Sequence, residues 1–113
     1  MFKLKQKPSY WWPVTFQQPD DGGKVVEQTI EVEYHRFDED EHEALCKESA
    51  EQRMGDRAFA RRVVRCVRNV VDEAGQPLPF NSDTFTELLK VPGLATAIVR
   101  EYFASRVPAA EKN

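Results

Sequence analysis

The chain predicts an α+β domain, an N-terminal antiparallel β-hairpin packed on about four α-helices, and three observations predict it. Residues 10–17 and 24–37 alternate apolar and polar side chains with the two-residue period of a strand. Asp20-Asp21-Gly22-Gly23 supplies turn chemistry between them. From residue 38 onward apolar residues recur at spacings of three and four, and Gly and Pro mark the boundaries of helical segments.

Residues 1–9 form a basic leader, either loose or adding a short strand at residues 2–5. In the first strand Tyr10, Trp12, Val14 and Phe16 share one face, and Trp11, Pro13, Thr15 and Gln17 the other. Pro13 lacks an N–H, so this strand belongs at a sheet edge or carries a bulge. Residues 18–23 read as the loop. In the second strand Val26, Ile30, Val32 and Tyr34 lie on one face, interrupted by Gln28. Glu27, Thr29, Glu31, Glu33 and His35 lie on the other. The apolar faces rest on helices, and the acidic face is expected to meet water. A lone hairpin is marginal in water, so the helices are needed to hold it.

Residues 38–53 read as a helix. Asp38 and Glu41 have capping-box spacing, and the acids at 38–41 suit the positive end of the helix dipole. Its apolar face is thin (Leu45, Cys46, Ala50), which implies weak docking. Gly55 ends this helix, and Asp56 is placed to cap the next. Residues 56–71 carry the strongest helical pattern. At 100° per residue Phe59, Val63, Cys66, Val67 and Val70 fall on one face, the pattern of a core helix. Opposite them Arg57, Arg61, Arg65 and Arg68 form a basic stripe.

Next comes Val70-Val71-Asp72-Glu73-Ala74-Gly75-Gln76-Pro77-Leu78-Pro79-Phe80. Residues 73–76 read as a tight turn with Gly75 at positive φ. Pro77 and Pro79 hold an extended path. Asn81, or Ser82 in its place, caps a short helix over 82–90 with Phe85, Leu88 and Leu89 inward. Phe80 and Phe85 have the spacing of a hydrophobic staple. Pro92 suits the first position of a final helix, where Leu94, Ala95, Ile98, Val99 and Tyr102 share a face. Pro108 stops it. Residues 10–107 therefore read as one domain, and 108–113 as a frayed tail.

At 113 residues the chain has room for one modest core, and 41% hydrophobic with 31% charged residues is the balance of a folded domain. A net charge of −3 argues against a general nucleic-acid binder. No apolar run approaches a membrane span, and residues 1–7 lack the apolar stretch of a secretory signal, so the cytoplasm is the expected location. Cys46 and Cys66 have no zinc spacing and are expected to be reduced and packed.

The candidate chemistry is sparse. His42 and Cys46, at i and i+4 with His35 nearby in sequence, fall short of a four-ligand metal site. The acids from Glu31 to Glu41 fall on an exposed strand face and a helix start, not in an environment that separates carboxyl pKa values. There is no Ser–His–Asp arrangement and no glycine-rich phosphate loop. No catalytic residue, metal or cofactor is therefore assigned. The candidate partner-binding residues are Trp11, which alternation sends to the face opposite Trp12, and the stripe Arg57, Arg61, Arg65 and Arg68. A solvated helix face, or pairing with the acidic helix at 38–51, is the alternative reading of the stripe. Cover by the leader or a loop is the alternative for Trp11.

The 70–80 segment resembles an element of the tail assembly chaperones of long-tailed bacteriophages, which tend to read Val-Val-Asp-Glu-x-Gly-x-Pro-Leu-Pro-Phe between two helices. The resemblance extends to Tyr10-Trp11-Trp12-Pro13-Val14, to Val91-Pro92-Gly93-Leu94, and to Ala97-Ile98-Val99-Arg100-Glu101-Tyr102-Phe103. The family often has an aromatic just before the Val-Val pair and Gly directly before it; here Val67 and Asn69 stand in those places. The resemblance implies a non-enzymatic protein of the bacterial host cytoplasm that is absent from the finished virion. Such a protein binds the tape measure protein, keeps it soluble and helps tail tube subunits polymerise around it. Tape-measure helices are then expected to dock on exposed apolar surface with Trp11 as a candidate anchor, and copies to self-associate through edge strands or helix faces, the arginine stripe meeting the acidic strand or helix of the next copy. Charge reversal at Arg61 and Arg65 is then expected to weaken assembly without unfolding the monomer. The competing readings are a small tail or head–tail component that stays in the particle, and a nucleic-acid-binding regulator using the arginine-rich helix.

Overall fold

The alternation along the N-terminal third is realised as two long strands. β1 (Ser9–Asp20) and β2 (Lys24–His35) pair antiparallel in one unbroken register, from Ser9 opposite His35 to Asp20 opposite Lys24. In this computed structural model, which describes residues 1–108, a 3₁₀ turn at Asp21–Gly23 joins them. Strand pairing therefore continues through Gln18, Pro19 and Asp20, residues whose composition reads as loop. Only the half of the hairpin nearer the chain ends is buried. Val14, Ile30, Val32 and Tyr34 enter the core, whereas Val25 and Val26 near the turn stay exposed.

The hairpin is part of a three-stranded antiparallel sheet of order β1-β2-β3, and the third strand corrects the expected long helix over 56–71. That segment divides into α2 (Asp56–Val63) and β3 (Val64–Arg68), with β3 paired to β2. The reason is legible in the register. Tyr34 stands opposite Val64 and Val32 opposite Val67, so a bulge leaves Arg65 and Cys66 together against Glu33. The bulge sets the two core-facing valines three residues apart, which mimics the i, i+3 spacing of a helix. The β-branched side chains of Val64 and Val67 fit a pleated half-buried surface better than a helix. Asn69 then turns the chain at φ 69, a conformation Asn tolerates. β1 is an edge strand, as Pro13 requires.

α1 (Glu39–Gln52) starts with the expected capping box: the Asp38 carboxylate accepts from the Glu41 N–H, and the Glu41 side chain from the Asp38 N–H. Leu45 is its one buried residue, in keeping with the thin apolar face. Its end differs from expectation. Arg53, in the left-handed region, closes the helix, and Gly55 rather than Asp56 is the N-cap of α2. Asp56 lies inside α2 and accepts a 2.7 Å hydrogen bond from Thr96. α3 (Ser82–Leu89) is capped by Asn81 with Thr84 reciprocating, and the Phe80 and Phe85 rings meet at 5.4 Å as a staple. α4 (Leu94–Arg106) begins after Pro92, not on it. Val91-Pro92-Gly93-Leu94 forms a tight turn, with Gly93 at φ 83 and the Leu94 N–H donating to the Val91 carbonyl. The expected tail lies largely outside the described residues.

The core sits between one face of the sheet and α2, α3 and α4. Tyr34 and Tyr102 are fully buried and meet edge to face at 5.6 Å. Phe59, Val63, Phe85, Leu89, Leu94 and Ile98 complete the helical side. Polar bonds fix the packing angle. The Tyr34 hydroxyl donates to the Ile98 carbonyl at 2.7 Å, the Tyr10 and Ser105 hydroxyls share a hydrogen bond, and the Trp12 indole donates to Glu101. The Arg106 guanidinium ties the end of α4 to the start of α1 through the Phe37 carbonyl and Glu39.

Candidate protein-binding surface

The outer face of the sheet holds three of the five residues singled out by sequence, and it differs from the expected acidic, water-facing surface. β3 lays its arginines across β2. Arg68 pairs with Glu31 at 2.8 Å, and Arg65 with Glu33 at 2.7 Å. The Arg68 guanidinium also lies 3.9 Å from the centroid of the Trp11 ring. Trp11 is half-buried, with Arg68 lying over its ring. Glu33 also accepts from the Ser9 hydroxyl at 2.5 Å and is only 8% exposed. Its cover is local, the side chains of Ser9 and Arg65, not depth in the core. The Ser9 hydrogen bond, and then the Arg65 guanidinium, hold its carboxyl below the usual range.

The break between α2 and β3 dissolves the arginine stripe. Arg61 on α2 donates to Thr86 and lies 5.6 Å from the Phe85 ring centroid. Arg57 edges an open cleft of mixed polar and apolar lining between the start of α2 and the Lys90–Gly93 turn. Arg62, not part of the expected stripe, pairs with Glu48 of α1. Intramolecular partners therefore occupy Arg61, Arg65 and Arg68, and no single helix face presents four arginines. Arg65 is a contact within the monomer, so reversing its charge places a second negative group beside Glu33 and bears on folding as well as on assembly.

His42 and Cys46 do approach each other across one helical turn, with Sγ 3.6 Å from Nε2. The other ring nitrogen, Nδ1, is 2.8 Å from the Tyr102 hydroxyl. Burial first, and then the Arg106 charge, lower the His42 pKa. Burial pushes the Tyr102 phenol up to about 12. No group of three or more His, Cys, Asp or Glu suited to a metal occurs among the described residues. The His42–Tyr102 pair is a packing contact between α1 and α4.

The surface that the sequence reading missed involves the 70–80 segment and α3. The 70–80 segment folds back on itself. Val70 accepts from the Leu78 N–H, Val71 bridges Pro77, and the Asp72 carboxylate accepts from the N–H groups of Ala74 and Gln76. Gly75, at φ 80, closes the turn on the Asp72 carbonyl. The turn is thus organised by Asp72, one residue earlier than expected. This fold-back presents Leu78 beside α3, where Leu78, Leu88, Val91 and the Thr84 side chain line an open groove of about 350 Å³. Asp83 and Glu87 form its rim. Exposed Val71 and Leu78 extend the apolar surface around it. Leu78 and Val91 belong to two separate stretches of the sequence resemblance, and α3 brings them together.

No helix of the described residues is long and apolar enough to cross a membrane. Comparison with protein-family models, curated proteins and solved structures finds no match.

Proposed function

We propose that this chain is a tail assembly chaperone of a long-tailed bacteriophage or prophage. It binds the tape measure protein in the host cytoplasm, keeps it soluble, supports tail tube polymerisation around it, and leaves before the particle is complete. The observation that carries this reading is the open groove of Leu78, Leu88 and Val91. Two of its apolar residues, Leu78 and Val91, come from the 70–80 and 91–94 stretches of the family resemblance, and Leu88 comes from α3 between them.

The physical chemistry follows from the groove. A tape measure protein is long and apolar, and its helices aggregate when nothing covers them. A groove with an apolar floor and polar rim receives one face of an amphipathic helix at i, i+3 and i+4 anchors. The groove is small, and small interfaces give weak, reversible contacts. Reversibility is what a coat requires if it is to yield to tube subunits, and many weak contacts along one client still hold it by avidity. Trp11 under Arg68 is the second candidate contact, on the outer face of the sheet. No catalytic step, metal or cofactor enters this mechanism.

A Leu78→Glu variant tests the site. Leu78 is a partly exposed loop residue, so the domain is expected to fold. Co-expressed with the tape measure protein, the variant is expected to leave it insoluble where the parent chain keeps it in solution. An unchanged soluble yield contradicts the groove as the binding site.

A further inference from the structure

The leader carries strongly exposed apolar side chains. Phe2 and Leu4 are 78% and 88% exposed and alternate with Lys3, Lys5 and Lys7. Arg36 anchors the segment at its far end, where its N–H donates to the Pro8 carbonyl and its guanidinium to the Lys7 carbonyl. Residues 1–6 thus project from a fixed point, with a reach of about 20 Å if extended. In extended backbone Phe2 and Leu4 point to one side and Lys3 and Lys5 to the other. The Leu78/Leu88/Val91 groove is the matching surface, apolar in its floor and flanked by the carboxylates of Asp83 and of Glu87, the latter already 3.2 Å from the Lys90 ammonium.

We propose that the groove of one copy receives the leader of a second copy. Phe2 and Leu4 seat on Leu78, Leu88 and Val91, and Lys3 and Lys5 reach Asp83 and Glu87 with their flexible stems. The leader and the groove are different surfaces, so the contact is head-to-tail, and each bound copy leaves one leader and one groove free. The result is a chain of copies that lengthens with concentration. If the chaperone reading above is right, the leader and a tape-measure segment compete for one site. The contact itself needs no tape measure protein and is tested without it.

The test is sedimentation of the full chain from micromolar to millimolar concentration at low salt. The average mass is expected to rise continuously with concentration and to fall back as salt screens the rim. Two charge-swapped variants, Lys3→Glu/Lys5→Glu and Asp83→Lys/Glu87→Lys, are each expected to self-associate about tenfold or more weakly. Their equimolar mixture is expected to recover assembly, because the swapped leader meets the swapped groove and the native leader the native groove. Phe2→Ser/Leu4→Ser, at fully projecting positions that leave the fold intact, is expected to remain monomeric. A parent chain that stays monomeric throughout overturns the proposal. So does assembly that neither the swaps nor the leader variant weakens.

Discussion

Replacing Glu33 by Ala removes the one buried carboxylate of the sheet, and the structure sets the size of the effect. Glu33 accepts from Ser9 at 2.5 Å and from Arg65 at 2.7 Å. A hydrogen bond to a charged group contributes about 1.5–3 kcal/mol when it is well shielded. The Arg65 side chain is 57% exposed, so its share falls to the roughly 0–1 kcal/mol of a surface ion pair. The Ser9 bond supplies most of the remainder, and the expected loss is about 2 kcal/mol. Glu33→Gln keeps an oxygen for Ser9 and should cost about half as much. Urea unfolding reads this directly: with a slope of roughly 1–3 kcal/mol/M, the Ala variant should lower the midpoint by about 1 M. The pH dependence fixes the cause. The folded carboxyl titrates below the unfolded value near 4.5, so its contribution is complete above that pH and is lost as pH falls through the folded value. The gap between parent and Glu33→Gln should therefore close on acidification. A gap below about 0.3 kcal/mol at neutral pH, or one that persists unchanged into acid, refutes the assignment.

His42 provides a second pH handle: its pKa is lowered from 6.5 by burial, so the folded state resists protonation, and stability should fall as pH drops below about 6.5. His42→Gln should flatten that slope in thermal melts between pH 7 and 5 (a window set by the ordinary histidine value). Arg65→Glu should lower the melting temperature by several degrees, about 1–3 kcal/mol, because it opposes Glu33; Arg61→Glu, which loses the exposed Thr86 hydrogen bond and the contact with the Phe85 ring, should stay within about 1 kcal/mol. Gly75→Ala, at φ 80 with nothing near its would-be Cβ, should cost about 1 kcal/mol from backbone strain alone, read as a shift in the denaturation midpoint.

The hairpin, the Asp38 and Asn81 caps and the Phe80–Phe85 staple were legible because each is written locally, in alternation or in residues three to five apart. The 64–68 strand was not. Its bulge imposes a three-residue spacing on Val64 and Val67, and only pairing with β2 distinguishes that from a helix. The same error produced the arginine stripe, since Arg65 and Arg68 belong to a strand edge. Glu33 looked solvated because alternation gives the face of a side chain but not what an added strand lays over it. Leu78 and Val91 were visible as motif residues, yet their meeting across Leu88 depends on how the 70–80 loop folds back, which is tertiary information. Pro92 was misplaced by two residues because a Pro-Gly pair serves a tight turn as readily as a helix start.

The central claim is that this chain keeps a tape measure protein in solution. The most direct measurement is the soluble yield of a candidate tape measure protein, expressed with and without this chain, with co-purification and light scattering of any complex. The account predicts an insoluble client alone and a soluble complex carrying several copies of this chain. A client whose solubility is unchanged, with nothing co-purifying, contradicts it.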